Sequence, residues 1–204
     1  MRTDFIQALT DDQAAFCLEL THEQIERLAD YYELVQEHNP LLHLVGPSTP
    51  EEFAVRHILE SLTLLKHLPD SAKFADVGTG AGLPSIPCLL VRDDLSAALI
   101  ESKEKKAAFL NEAVGRLNID QRAVVWNRQY AETDLAGCSF VTCRALDKFN
   151  DRLPHLLKWS SKIARLFYGG PGLRDALEKH GARFTEELMP LSEQRYLFFI
   201  EAGR

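Results

Sequence analysis

The chain has 204 residues, 46% of them hydrophobic, with 30 Asp and Glu against 23 Lys and Arg for a net charge of −7. That length suits one domain with room for a flanking subdomain, and no apolar run approaches the roughly 18 residues of a membrane span. The four cysteines, at positions 17, 88, 138 and 143, form neither a C-x-x-C pair nor a metal-ligand cluster, which points to reduced thiols and no metal. Met1-Arg2-Thr3-Asp4 opens neither a signal peptide nor a transit sequence, so a cytoplasmic protein without a membrane partner is expected.

The charge is uneven. Residues 1–70 hold 13 acidic against 4 basic side chains, and residues 71–204 hold 17 against 19. An acidic leading segment and a mildly basic remainder are compatible with an RNA-facing surface, because phosphate contacts need Lys and Arg. The division expected is a helical subdomain over 1–70 and an α/β domain over 71–204.

Thr21-His22-Glu23-Gln24 is a capping-box signature, and Ile25, Leu28, Tyr32 and Val35 follow at helical spacing. Asn39-Pro40 is expected to end that helix. A second start lies at Thr49-Pro50-Glu51-Glu52, with Phe53, Ile58, Leu62 and Leu65 as the buried stripe and Leu68-Pro69 as the stop. On this helix Arg56 and Glu60 read as an i, i+4 ion pair beside a partly buried His57.

Phe74-Ala75-Asp76-Val77 then reads as a buried strand running into Gly78-Thr79-Gly80-Ala81-Gly82-Leu83-Pro84, a glycine turn that opens a helix with Pro84 as its first residue. In a doubly wound sheet such a turn sits at the carboxyl end of the first strand, where ligands dock. The dinucleotide fingerprint needs a third glycine where Leu83 stands; the spacing here is G-x-G-x-G. Asp76 would repel a pyrophosphate and suits a ligand with an amine or sulfonium, and S-adenosylmethionine carries both. Strand two, Ala97–Ile100, brings Glu101 to the same rim, where a carboxylate can accept both ribose hydroxyls. The competing readings are a nicotinamide enzyme and a tight turn that binds nothing.

The alternation continues with a helix from Lys103 to Leu117, strand three at Ala123–Trp126, the turn Asn127-Arg128-Gln129-Tyr130 as the place for an adenine ring, and strand four at Phe140–Cys143 ending in Arg144 at the ligand rim. A helix around 151–160, strand five at Ile163–Tyr168, a helix at 173–179 and two strands near 184–188 and 195–200 complete the chain. Two final strands with no helix between them imply a terminal antiparallel hairpin. The fold class expected is α/β: a class I S-adenosylmethionine-dependent methyltransferase, Rossmann-like, with a seven-stranded mostly parallel sheet, the terminal hairpin and an N-terminal helical cap.

Tyr31-Tyr32-Glu33-Leu34, Arg56-His57-Ile58-Leu59-Glu60-Ser61, the block from Asp76 to Pro87, Lys106 through Phe109-Leu110-Asn111-Glu112 and Arg144-Ala145 together resemble the RsmG (GidB) family over nearly the whole chain. Those are bacterial enzymes that use S-adenosylmethionine to methylate N7 of a guanine in 16S ribosomal RNA. The resemblance implies cofactor contacts at Gly78, Leu83, Gln129, Tyr130 and Arg144, beside Asp76, Thr79, Gly80, Gly82 and Glu101 of the glycine turn and its rim. It moves Arg56 and His57 to the front of the site, facing RNA. Lys103, Lys105 and Arg128 are the expected phosphate contacts, Arg144 the group that orients ligand and base, and 16S ribosomal RNA or the small ribosomal subunit the partner. Departures from the family pattern fall at His43-Leu44-Val45, Cys143 and Gly169-Gly170. The other functional readings are a small-molecule methyltransferase, a cytosine C5 methyltransferase using Cys143, and a non-catalytic module that binds S-adenosylmethionine or ribosomes.

Overall fold

A computed structural model describes residues 1–144 and 149–203. Seven strands form one sheet: β1 (Lys73–Val77), β2 (Ser96–Ile100), β3 (Ala123–Trp126), β4 (Phe140–Arg144), β5 (Ala164–Gly169), β6 (Phe184–Leu188) and β7 (Tyr196–Ile200). Their order is β3-β2-β1-β4-β5-β7-β6. The first five run parallel, and β7 lies antiparallel to both β5 and β6. The expected sheet with its closing hairpin is present.

Alternation along the strands fills two apolar clusters, because successive side chains in a strand point to opposite faces. Phe74, Leu99, Leu166 and Leu197 join one cluster, and their neighbours Ala75, Ile100, Phe167 and Phe198 join the other. The first cluster is covered by α5 (Ser85–Val91), α6 (Glu104–Arg116) and the N-terminal helices; the second takes α7 (Phe149–Trp159) and α8 (Pro171–Lys179).

The N-terminal helices include α1 (Arg2–Asp12), ahead of the first capping box, and α2 (His22–Leu42). Thr21 and Gln24 cap α2 reciprocally. Pro40 does not end the helix; α2 runs to Leu42 and stops at His43 in a left-handed conformation. A proline in the last turn costs one backbone hydrogen bond at a point where the helix is ending anyway.

The next helix is not uniform. Thr49 and Glu52 cap α3 (Pro50–Phe53), which passes into a π-turn over Ala54–Leu59, a single α turn α4 (Glu60–Leu62) and a 3₁₀ stretch Thr63–His67. The buried pair Phe53 and Ile58 stand five residues apart, the spacing at which a π-turn brings side chains into line.

The helical cap is tied to the sheet domain at the glycine turn. Tyr31 is fully buried, and its hydroxyl donates to the Ala81 carbonyl at 2.9 Å. Burial pushes the Tyr31 phenol far above its usual range, so it is a donor at every physiological pH. Tyr31→Phe keeps the packing and orphans the carbonyl; the expected cost is about 1–2 kcal/mol in urea denaturation, and an unchanged midpoint would show the bond to be dispensable.

Candidate functional site

The carboxyl ends of β1, β2 and β4 frame a cavity of about 280 Å³, lined by Gly78–Ala81, Leu83, Glu101–Lys103, His57, Arg144, and Leu44–Gly46 of the loop after α2. Its floor is the glycine turn. Gly78 N–H and Thr79 N–H donate to the Ile100 carbonyl at 2.8 and 3.4 Å, which locks the turn to the end of β2. Gly78, Gly80 and Gly82 all hold positive φ, at 68°, 57° and 94°.

A Cβ built on Gly80 would meet only the Gly78 carbonyl oxygen, at 3.8 Å, so the chain there faces open space. On Gly82 it would stand 2.3 Å from Ile86 Cδ1, so that glycine serves packing against α5. Pro84 is the cap of α5 rather than its first residue, and the Leu83–Pro84 peptide is cis.

Glu101 is 6% exposed and part of the cavity wall. Its Oε2 accepts from Gly80 N–H at 3.1 Å and its Oε1 from Lys103 N–H at 2.8 Å. Each carboxylate oxygen can accept a further hydrogen bond, so Glu101 is oriented while keeping capacity for a ligand's hydroxyl groups.

Asp76 is fully buried beneath the turn and does not reach the cavity wall. Its Oδ2 accepts from Thr79 Oγ1 at 2.6 Å and Ser85 Oγ at 2.7 Å, and Oδ1 is buried with no partner. Burial raises its carboxyl pKa to about 7, against the lowering effect of the two hydroxyls. A cation in the cavity would favour the ionised form and a pyrophosphate would disfavour it, so this carboxyl fits a positively charged ligand.

His57 lines the cavity from the π-turn, with Nδ1 buried and unpartnered. Burial, and then the positive charges of Arg144, Arg56 and Arg195, lower its pKa to about 3, so the ring is neutral.

These shifts have opposite signs in stability. A raised Asp76 pKa makes the folded protein hold a proton between pH 4 and 7 that the unfolded chain has released, so its contribution falls as pH rises through that window. A lowered His57 pKa makes its contribution present above about 6.5 and lost as pH falls toward 3. Asp76→Asn is expected to remove the first slope, so that stability rises with pH between 4.5 and 6.5 by up to about 1.4 kcal/mol per unit relative to the wild type. Urea denaturation across that range measures it, and parallel pH profiles for the two proteins would refute the assignment.

Arg144, at the end of β4, is 14% exposed and turns toward the π-turn. It donates to Glu60 Oε2 at 3.2 Å, to Ser61 Oγ at 3.2 Å and to the Arg56 carbonyl, and its guanidinium lies 5.2 Å from the Tyr168 ring centre. Glu60 is 1% exposed, and its Oε1 accepts from Arg195 Nε at 2.6 Å. This corrects the sequence expectation: Glu60 pairs with Arg144 and Arg195 rather than Arg56, and Arg56 is exposed, 3.7 Å from Glu52. The partners of Glu60 stand at the end of β4 and just ahead of β7, far along the chain and out of reach of local spacing.

Of the other expected residues, Lys103 stands in the cavity wall, while Lys105 and Arg128 are exposed. Gln129 and Tyr130 do not line the cavity; Tyr130 packs edge-on against Trp159 at 5.2 Å, in the cluster on the opposite face. Ala145 lies outside the described residues. Residues that the sequence reading did not assign to the site are Glu60, Ser61, Arg195, Lys106 and Arg152. Lys106 Nζ donates to the His43 carbonyl at 3.1 Å and clips the 43–46 loop to α6. Cys143 is buried, and Thr142 Oγ1 donates to the Leu166 carbonyl at 2.8 Å, which favours packing over a nucleophilic role. No group of metal-ligating side chains occurs among the described residues, and no helix there is long and apolar enough to cross a membrane.

The family model GidB, rRNA small subunit methyltransferase G, matches residues 24–192. A ribosomal RNA small subunit methyltransferase G from Pelotomaculum thermopropionicum is 43% identical over 111 residues, 53% of this chain and 46% of the relative. One of the same name from Nitrosospira multiformis is 37% identical, covering 70% of this chain and 66% of the relative, and one from Neisseria meningitidis is 36% identical with 71% of each covered. The matched chain thus spans about half the length of the first relative and two thirds of the second. Among solved structures, an S-adenosylmethionine-dependent methyltransferase from Aquifex aeolicus superposes with TM-score 0.58 at 16% identity, covering 85% of this chain and 98% of the other. Mitomycin 7-O-methyltransferase superposes at 0.60 with 14% identity, covering 84% and 60%. At such identities these two establish the fold.

Proposed function

The chain belongs to the GidB family, rRNA small subunit methyltransferase G, and from that premise we propose that it transfers a methyl group from S-adenosylmethionine to N7 of a guanine in 16S ribosomal RNA. The observation that carries the reading is the open cradle at Gly80, held by the Glu101 carboxylate through Gly80 N–H. Gly78, Thr79, Gly80 and Leu83 would bound the cofactor, Glu101 would accept from its ribose, and Arg144 would face its amino-acid carboxylate. Asp76 and Gly82 would act from beneath by fixing the turn. Gln129 and Tyr130 are assigned to the adenine on family resemblance alone.

When bound, the sulfonium supplies both the methyl group and its own leaving group. Guanine N7 carries an in-plane lone pair at neutral pH, so the chain needs no base to remove a proton. Its work is alignment, and well-oriented approach contributes on the order of 7–11 kcal/mol. His57 at the cavity wall suits this chemistry in its neutral form, because an imidazolium there would bind the N7 lone pair that must attack. Exposed Arg56, Lys105 and Arg128, with Lys103, would meet RNA phosphates, giving binding that weakens with salt.

The test is labelled methyl transfer from purified protein to total RNA of a strain lacking its gene, with the product base identified by mass spectrometry. N7-methylguanine in 16S RNA is the expected product. Cofactor binding without transfer to any RNA would replace the enzyme by a binding module, and label in a small molecule would replace the substrate.

A further inference from the structure

Glu60 is a buried carboxylate shared by two arginines that face different surfaces. Arg144 lines the cavity. Arg195, immediately ahead of β7, lines a separate groove with Glu52, Arg56, Leu191 and Glu193, and is not part of the cavity wall. The carboxylate is divided one oxygen to each: Oε1 takes Arg195 at 2.6 Å and Oε2 takes Arg144 at 3.2 Å. The other acceptors that Arg144 meets on this turn, Ser61 Oγ and the Arg56 carbonyl, are neutral. Among the described residues, Glu60 therefore supplies the charged hold on the guanidinium.

We propose that Glu60 is the positioning residue of the site, its carboxylate fixing Arg144 toward the cavity ligand while Arg195, by occupying the second oxygen, keeps Arg144 to a single-oxygen contact. This rests on the reading of the cavity as an S-adenosylmethionine site. An undivided carboxylate would take Arg144 in the two-oxygen fork that guanidinium and carboxylate prefer, and the fork would draw it back from the cavity. His57, Glu60 and Ser61, at i, i+3 and i+4, share one side of the helix, where Glu60 is buried and Arg56 is exposed. Arg195 is not in the cavity wall and its hydrogen-bonded link to the cavity is this carboxylate, while its charge is also felt at His57, so positioning and charge are separated by the variants below.

The experiment is a double-mutant cycle read as the dissociation constant of S-adenosylmethionine by titration calorimetry, with thermal unfolding as the check on folding. Glu60→Gln is expected to weaken binding about tenfold or more, and Glu60→Asp, which keeps the charge, to restore most of the loss. Arg195→Gln is expected to weaken binding about threefold to tenfold in the wild-type background and less than twofold in Glu60→Gln, a coupling within the range of residues that share a partner. An Arg195→Gln effect that persists in Glu60→Gln would mean long-range charge rather than positioning. A Glu60→Gln protein that melts lower but binds with unchanged affinity would leave Glu60 a structural residue only. Either result overturns the proposal, and if Glu60→Gln does not fold, unchanged cofactor affinity in Arg195→Gln does the same. Wild-type protein that binds the cofactor but gives an additive cycle sinks the Glu60 role alone. Wild-type protein that binds none removes the cofactor reading and this role with it.

Discussion

Arg144→Ala is expected to lower methyl transfer to 16S RNA by about 10²-fold, the cost of misplacing a ligand whose alignment carries the reaction. It also destabilises the fold. Glu60 is 1% exposed, and a buried charge stripped of its partner costs roughly 3–5 kcal/mol. Here Arg195 remains at 2.6 Å, which limits the loss to about 2 kcal/mol. The two effects separate in a second variant. Glu60→Leu combined with Arg144→Met replaces the buried pair by apolar groups, and such replacement restores stability without restoring the cation. The double variant, in which Arg195 loses its partner but is 39% exposed and stays solvated, should recover much of the stability and stay inactive. Recovery of turnover along with stability would reduce Arg144 to a fold-supporting residue.

The second large effect divides two glycines that look equivalent in sequence. Gly82→Ala places a methyl 2.3 Å from Ile86 Cδ1, 2.7 Å from its Cγ1 and 3.3 Å from Leu110, at a φ of 94°. Backbone strain and overpacking each cost roughly 1–3 kcal/mol, so a loss of about 3–4 kcal/mol is expected in urea denaturation. Gly80→Ala has room, and its φ of 57° is a left-handed value that alanine adopts for about 1 kcal/mol. Its expected cost falls on the ligand: about a tenfold weaker cofactor, because the methyl occupies the cradle. Equal stability losses, or unchanged cofactor affinity in Gly80→Ala, would contradict this division.

Much of this architecture can be read from local sequence. The strands announce themselves by β-branched and apolar runs between turns, and β3 over Ala123–Trp126 and β6 over Phe184–Leu188 match their expected bounds. The glycine turn and Glu101 are legible because a turn and a strand end are local features. The Glu60 pairs are not, because the partners lie 84 and 135 residues away in the chain. The burial of Asp76 was hidden for a related reason: an acid before a glycine turn can face the ligand or the helix beneath, and the hydroxyl of Ser85, nine residues on, draws it downward. The π-turn did leave a mark, in the five-residue step from Phe53 to Ile58. The expected stop at Pro40 failed because a proline rule applies to helix interiors, and α2 was already within a turn of its end.

The placement of β7 between β5 and β6 fixes when this surface comes into being during translation. Residues 196–200 leave the ribosome after residues 184–188, so β6 is made before the strand it must bond to. Until then β5 has a bare edge, and Arg195 has no anchor from which to reach Glu60. A nascent chain thus has its glycine turn and helical cap synthesised before residues 195–200, and the shared arginine hold requires β7 to have paired with β5.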